Sequence, residues 1–285
     1  MSTLGIYASE VAALTGNHQY QPVHEAIVKL WKRNDSDHYH RALAASTQED
    51  ADEVVERLIQ QSGVDLTAVT TVPQTTVASI QAGIEASGLD PELVPEAVTK
   101  AVRKHTEMEA ANEDEVKKRI KRTAEEAGLS TSAVCMAMRH VQSKINCGKG
   151  TSQEETGLKV YETQFQKVVK KRNAQRYRYV GKGYVIVGKV DGIENEDTVV
   201  EHKHRMKRFF SSIPTYERVQ VMTYLKLVRL TKATHVQHYR GETRAEAIDW
   251  DPTLWDSIRL ELEAVARRYH AMLSDPIQQQ QLLQP

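Results

Sequence analysis

The spacing of apolar residues changes near residue 150, and that change limits the folds open to this chain more than any other feature. Over 47–146 apolar positions recur at three and four residues, the period of helices that bury one face each. Over 177–193 and 198–205 they alternate or run together, as strands do. The helical half carries its own punctuation. "QEDADEVVERLIQQSG" and "PQTTVASIQAGIEASG" end on glycine, "DPELVPEAVTKAVRKHTEMEA" opens with proline after an aspartate, and "NEDEVKKRIKRTAEEAG" puts acid first and base later. The glycine-rich "NCGKGTS" reads as a loop, followed by a helix over 152–172, the two strands, a helix over 215–231, a strand in "ATHVQHYRG" and a helix in "DPTLWDSIRLELEAVARRYHAML". That order predicts an α+β fold, a mixed β-sheet flanked by helices with a large helical insertion. The expected divisions are an N-terminal helical region over 1–46, the insertion over 47–146, the core over 147–275, and a glutamine-rich tail over 276–285 read as disordered. In the N-terminal region, short helical patterns lie on either side of "TGNHQYQP", with Ser9 placed to cap the first.

The strand pair "KVDGIENEDTVVEHKHR" carries charge where burial is expected. With a turn over residues 194 to 198, residues 191 and 201 oppose each other. The two-residue period then puts Asp191, Glu201, Lys203 and Arg205 on one face. A slip of one residue would send Asp191 to the other face. Two carboxylates so close repel unless a cation separates them, and a hard divalent ion with oxygen ligands fits. A surface ladder in which Lys203 and Arg205 neutralise the acids fits the same pattern. His202 and His204 point to the opposite face and read as packing residues.

Charge is also segregated. The net charge is +0, but residues 144–240 hold 20 Lys and Arg against 9 Asp and Glu, leaving acidic excess on both sides. A basic block of this kind suits a solvated face or a polyanionic partner such as a phosphate backbone. Glu154 opens an apolar run Leu158, Tyr161, Phe165 and Val168, so it shares their buried stripe, whereas Glu155 belongs to a polar face. Tyr216, Gln220 and Tyr224 recur every four residues and line one helix face. Cys135 and Cys147 belong to no disulfide framework or zinc pattern, which suits a reducing compartment. With neither a secretory pattern nor a long apolar run, a soluble, intracellular protein is expected.

"VDG" followed by "VVEHK" resembles the Asp, Glu-x-Lys signature of the PD-(D/E)XK nuclease superfamily. "GIYASEVAALTGNHQYQP", "KGTSQEETGLKVYE", "VDGI", "VVEHKHR" and "YERVQVMTYLKL" follow the order found in its lambda exonuclease and YqaJ-type viral recombinase branch. The resemblance covers about residues 5–33 and 146–240 and leaves the helical stretch between them unassigned. It implies a metal-dependent exonuclease that degrades linear duplex DNA from a 5′ end during recombination. Asp191 and Glu201, with the His202 backbone carbonyl, would hold Mg²⁺, for which Mn²⁺ can substitute. Glu154 would be the helix acid, Lys203 the lysine serving the attacking water, and Gln220 with Tyr224 the Gln-x-x-x-Tyr element. Ser9 matches a serine near the terminal phosphate, with Lys149 or Arg205 replacing an arginine that family members carry upstream of it. Lys207, Arg208 and "KKR" at 170–172 would be further phosphate contacts. A trimer, a single-strand annealing partner, and residence in the cytoplasm or nucleus of a host cell are also implied. A restriction-like endonuclease and a non-cleaving DNA-binding scaffold share the same core pattern.

Overall fold

The structure, a computed structural model, describes residues 3–46, 49–70, 77–239 and 242–284. The first half supplies β1 (Leu4–Tyr7), a 3-10 turn (Ala8–Glu10), and the helices α1 (Val11–Leu14), α2 (Val23–Asn34), α3 (Ser36–Ser46), α4 (Ala51–Ser62), α5 (Thr67–Thr70), α6 (Val77–Ala86) and α7 (Val94–Glu126). Then come α8 (Thr131–Phe165) and strands β2 (Val169–Lys170), β3 (Tyr177–Val180), β4 (Tyr184–Gly188), β5 (Gly192–Glu194) and β6 (Thr198–His204). The chain closes with α9 (Thr215–Val228), β7 (Lys232–Tyr239), β8 (Glu242–Asp249), α10 (Pro252–Met272) and α11 (Pro276–Leu283). The mixed α+β class expected from the sequence is the one observed. Of the expected helix in "PQTTVASIQAGIEASG", residues 73–76 lie outside the described residues. Among the described residues no helix is long and apolar enough to cross a membrane.

The strands form two sheets, ordered β1-β4-β3 and β2-β5-β6-β7-β8. In the larger sheet β5 and β6 pair antiparallel, β6 and β7 run parallel, and α9 makes the crossover between them. A parallel strand in mid-sheet is covered on both faces, so β6 buries Val199, Val200, Glu201 and His202 in succession. The main core lies between the sheets and α1, α2, α9 and α10. A second core joins α4, α5, α7 and the first half of α8 through Val55, Leu58, Val69, Ile120, Val141 and Ile145. The second half of α8 packs Leu158 and Tyr161 on Val169, Val200 and Val236 of the larger sheet. One 35-residue helix therefore ties the helical module to the sheet.

Three sequence expectations are corrected. "NCGKGTS" is helical, within α8, and Gly148 is there where the helix approaches a neighbour closely: a Cβ on it would lie 2.6 Å from Thr70, whereas Gly150 faces open space. The span 177–193 is not one strand, since the β3–β4 turn at Gly183 and a break at 189–191 divide it, and Asp191 sits at the step between the two sheets. The glutamine-rich tail is ordered over Pro276–Leu283. Asp275 caps α11 by accepting from the N–H of Ile277 and Gln278, proline occupies the first turn, and Leu282 and Leu283 pack on the main core.

Candidate active site

The turn after β5 sets the geometry. Asn195 and Glu196 both adopt positive φ, the conformation that closes a tight hairpin. The resulting register pairs Glu194 with Thr198 and Gly192 with Val200, so Asp191, one residue before β5, stands across from Glu201. The Asp191 carboxylate accepts the backbone N–H of His202 at 2.8 Å. Glu201 is 1% exposed; its Oε1 lies 2.7 Å from Lys203 Nζ. Its Oε2 is buried with no hydrogen-bond partner among the described residues.

Helix α9, packed across β6 and β7, brings the third layer. Lys203 Nζ donates to Gln220 Oε1 at 2.9 Å, and Gln220 Nε2 donates to the Tyr224 hydroxyl at 3.1 Å. The spacing of four that aligns Gln220 with Tyr224 thus continues as a hydrogen-bonded chain ending at the lysine. From the other side α8 presents half-buried Glu154, whose carboxylate accepts from the Asn173 side chain, while Glu155 stays exposed and pairs with Lys159. Phe165 and Val168, expected on the buried stripe with Glu154, are exposed.

The acids feel one another. Burial first, then the charges of Glu201 and Glu154, push the Asp191 carboxyl well above its ordinary range. Burial, and then the Glu201 charge, raise Glu154 as well. Burial alone would lower Lys203, but the Glu201 and Asp191 carboxylates outweigh it and hold the ammonium above its ordinary value. Burial and the same two carboxylates push the Tyr224 hydroxyl up. A buried carboxylate oxygen without a partner beside two further acids is costly, and the cost is relieved by a cation. Among the described residues no three His, Cys, Asp or Glu side chains form a ready-made metal cage. Asp191, Glu201 and Glu154 are the oxygen donors at the site that a hard divalent cation could use.

Two residues expected to contact phosphate are instead occupied. Arg205 is 7% exposed: Nη1 and Nη2 each donate to Glu217 at 2.6 Å, Nε donates to Gln237 at 2.7 Å, and the guanidinium lies over Phe210. His235 Nε2 meets the same Glu217 carboxylate at 2.8 Å. Lys149 is likewise buried, in a 2.6 Å ion pair with Glu113 of the helical module. Neither cation is open to a DNA backbone. Lys207 and Arg208 are exposed on the segment after β6, which Gln237 pins by accepting the Phe210 N–H at 2.9 Å. Lys170 and Lys171 are exposed, but Arg172 pairs with Glu162.

Ser9 is exposed on the 3-10 turn and caps nothing, because the cap position of α1 falls to Glu10. Glu10 accepts the Tyr7 N–H at 2.9 Å and pairs with Arg33. The His202 imidazole points away from the acids and packs on Gly157, so only its main chain faces Asp191. Burial foremost, with His238 and His204 nearby, drives that imidazole down to about 3, so it is neutral at physiological pH.

Sequence reasoning missed the Glu217–Arg205–His235–Gln237 network and Asn173. One signal was available: Glu217, Val221 and Leu225 recur every four residues and all are buried, which marks Glu217 as a carboxylate on an apolar stripe.

No family model matches the chain, and no curated protein matches it. Solved structures match over about half of it. An alkaline exonuclease (LHK-Exo) from Laribacter hongkongensis superimposes with a TM-score of 0.38 at 12% identity, over 48% of this chain and 82% of that one. The same enzyme in complex with dAMP gives 0.37 at 12% identity over the same shares. A phage related exonuclease from Haemophilus somnus 129PT gives 0.38 at 15% identity, over 45% of this chain and 72% of that one.

Proposed function

We propose that the protein is a magnesium-dependent deoxyribonuclease that hydrolyses phosphodiester bonds at the ends of linear duplex DNA, proceeding from the 5′ end. The observation that carries this reading is the buried, unpartnered Glu201 Oε2, set beside Asp191 and Glu154 and next to a lysine fixed by a helix. A module that only bound DNA would gain nothing from acids that repel the phosphates.

Asp191 and Glu201, with the main-chain carbonyl of His202, are the groups that would hold Mg²⁺, and Glu154 would hold a second ion directly or through water. Mn²⁺ would substitute. When bound, Mg²⁺ would polarise the scissile phosphate and lower the pKa of water. Lys203 is the chain's own electrostatic contribution. Its ammonium, held between Glu201 and Gln220, donates to the phosphate oxygens where negative charge builds in the transition state. Gln220 fixes the Lys203 rotamer, and Tyr224 fixes Gln220, so the ammonium is aimed before substrate arrives. Lys207 and Arg208 supply phosphate contacts that draw the strand to the site. A role in recombination, a single-strand annealing partner and a ring-shaped trimer belong to the same reading, through the resemblance of the motifs alone.

Digestion of end-labelled linear duplex beside covalently closed circular DNA, each with Mg²⁺ and with EDTA, tests it. Mononucleotides from the linear substrate in Mg²⁺ alone, with circles intact, are expected. Nicked circles would replace the exonuclease with an endonuclease, and no hydrolysis of either substrate in Mg²⁺ would refute the enzymatic reading.

A further inference from the structure

The loop over 15–22, between α1 and α2, projects rings toward the first turn of α9. His18 lies 4.7 Å from Tyr216, centre to centre, with planes inclined at 39°. Tyr20 stands edge-on to both at 6.2 Å. Tyr20 is 72% exposed, His18 is half-buried, and Tyr216 is half-buried with its base against the main core. An exposed tyrosine is ordinarily free to wander, but this one is held by its backbone. The Tyr20 N–H donates to His18 Nδ1 at 3.3 Å and the Gln21 N–H to the His18 carbonyl at 3.2 Å. The Asn17 N–H reaches Ala12 at 2.8 Å, and its side chain holds the Thr15 hydroxyl at 2.9 Å.

The position of the rings matters as much as their exposure. Tyr216 lies one helical turn before Gln220, the residue bonded to Lys203. The carboxylate of Glu217 and, after it, the charges of Lys203 and Lys29 bear on the His18 ring, and Lys29 is exposed. The Glu217 carboxylate bonds to Arg205 and His235 and also bears on the Tyr216 hydroxyl, which keeps it on the buried side of the cluster, away from Tyr20. The exposed Tyr20 ring, standing on its two half-buried neighbours with the exposed Lys29 nearby, complements flat rings strung on phosphates.

We propose that His18, Tyr20 and Tyr216 form a stacking platform for an unpaired nucleobase of the strand whose phosphate lies at Lys203. This inference rests on the deoxyribonuclease reading for its ligand.

The test is binding of a fluorescein-labelled single-stranded oligonucleotide to the full chain in EDTA, followed by anisotropy. The strand carries either all its bases or one abasic residue, walked through the terminal positions. Wild type, Tyr20→Ala and Tyr20→Phe are compared. One abasic position is expected to weaken wild-type binding by about 5- to 150-fold, the range of a base stacked on an aromatic ring. Tyr20→Ala weakens binding of the base-bearing strand by as much and is indifferent to the abasic residue, whereas Tyr20→Phe behaves as wild type. Wild-type binding that ignores every abasic position, or a Tyr20→Ala variant that binds as wild type, overturns the platform. Because no bond is cut in EDTA, the outcome is separate from hydrolysis. A protein that cleaves in Mg²⁺ but ignores abasic residues loses the platform alone, and one that reads the base but never cleaves loses the nuclease reading alone.

Discussion

Replacing Arg205 by alanine separates a structural arginine from a DNA-binding one. The guanidinium makes three hydrogen bonds of 2.6 to 2.7 Å to Glu217 and Gln237, at positions 1% and 4% exposed. Its removal takes from the Glu217 carboxylate its two 2.6 Å bonds and leaves the Gln237 oxygen with only the Phe210 N–H. Breaking a buried pair in this way costs about 3–5 kcal/mol. A second route gives a similar figure. Burial would raise the Glu217 carboxyl, but the Arg205 and His235 hydrogen bonds prevail and bring it from 4.5 to about 2. That difference corresponds to about 3 kcal/mol of stability. The sign follows from a depressed folded pKa: the contribution is complete above pH 4.5 and is lost as pH falls toward 2. In urea unfolding at pH 7, with a slope of about 3 kcal/mol per molar, the midpoint of Arg205→Ala should drop by about 1 M or more. The gap to wild type should narrow below pH 4.5, where a protonated Glu217 no longer needs the guanidinium. The salt dependence of DNA binding should be unchanged. An unaltered midpoint, with the log–log salt slope flattened by about 0.9, would mean that Arg205 meets a phosphate and that the buried network carries no stability.

Three further outcomes test the assembly of the site. A Cβ at residue 157 would lie 2.0 Å from His202 Nε2. Gly157→Ala should therefore push α8 off β6 and lower stability by about 1–3 kcal/mol in urea unfolding, with His202→Ala in the same chain restoring some of it. Mg²⁺ should raise the melting temperature of wild type, by the equivalent of about 2.7 kcal/mol at a hundredfold excess over Kd, and leave Asp191→Asn unmoved. In metal-free buffer Asp191→Asn should be at least as stable as wild type, because it removes one of two facing carboxylates while keeping an oxygen for the His202 N–H.

The strand pair and its charged face were readable because hairpin register follows from turn length, and side chains alternate strictly along a strand. The same period that put Lys203 beside Glu201 put Arg205 on that face too, where it is buried rather than open to phosphate. Both share a face, but what waits opposite that face is Gln220 in one case and Glu217 in the other. Their placement depends on how α9 crosses the sheet. Lys149 failed for a similar reason: its partner Glu113 lies 36 residues earlier on another helix. The "NCGKGTS" segment looked like a loop because glycine is a poor helix former, and helical propensity is routinely overridden where two elements must approach. The ordered tail was hidden by glutamine bias, although "SDP" before it is a helix-start signal.

The central claim, that Asp191, Glu201 and Lys203 act together on a phosphodiester, is tested most directly by the release of mononucleotides from 5′-labelled linear duplex in Mg²⁺. The measurement compares wild type with Asp191→Ala and with Lys203→Met, each first shown to be folded. The account predicts that Asp191→Ala loses hydrolysis, and that Lys203→Met loses about 100-fold or more of kcat while retaining Mg²⁺ binding. Hydrolysis by Asp191→Ala at the wild-type rate would contradict it.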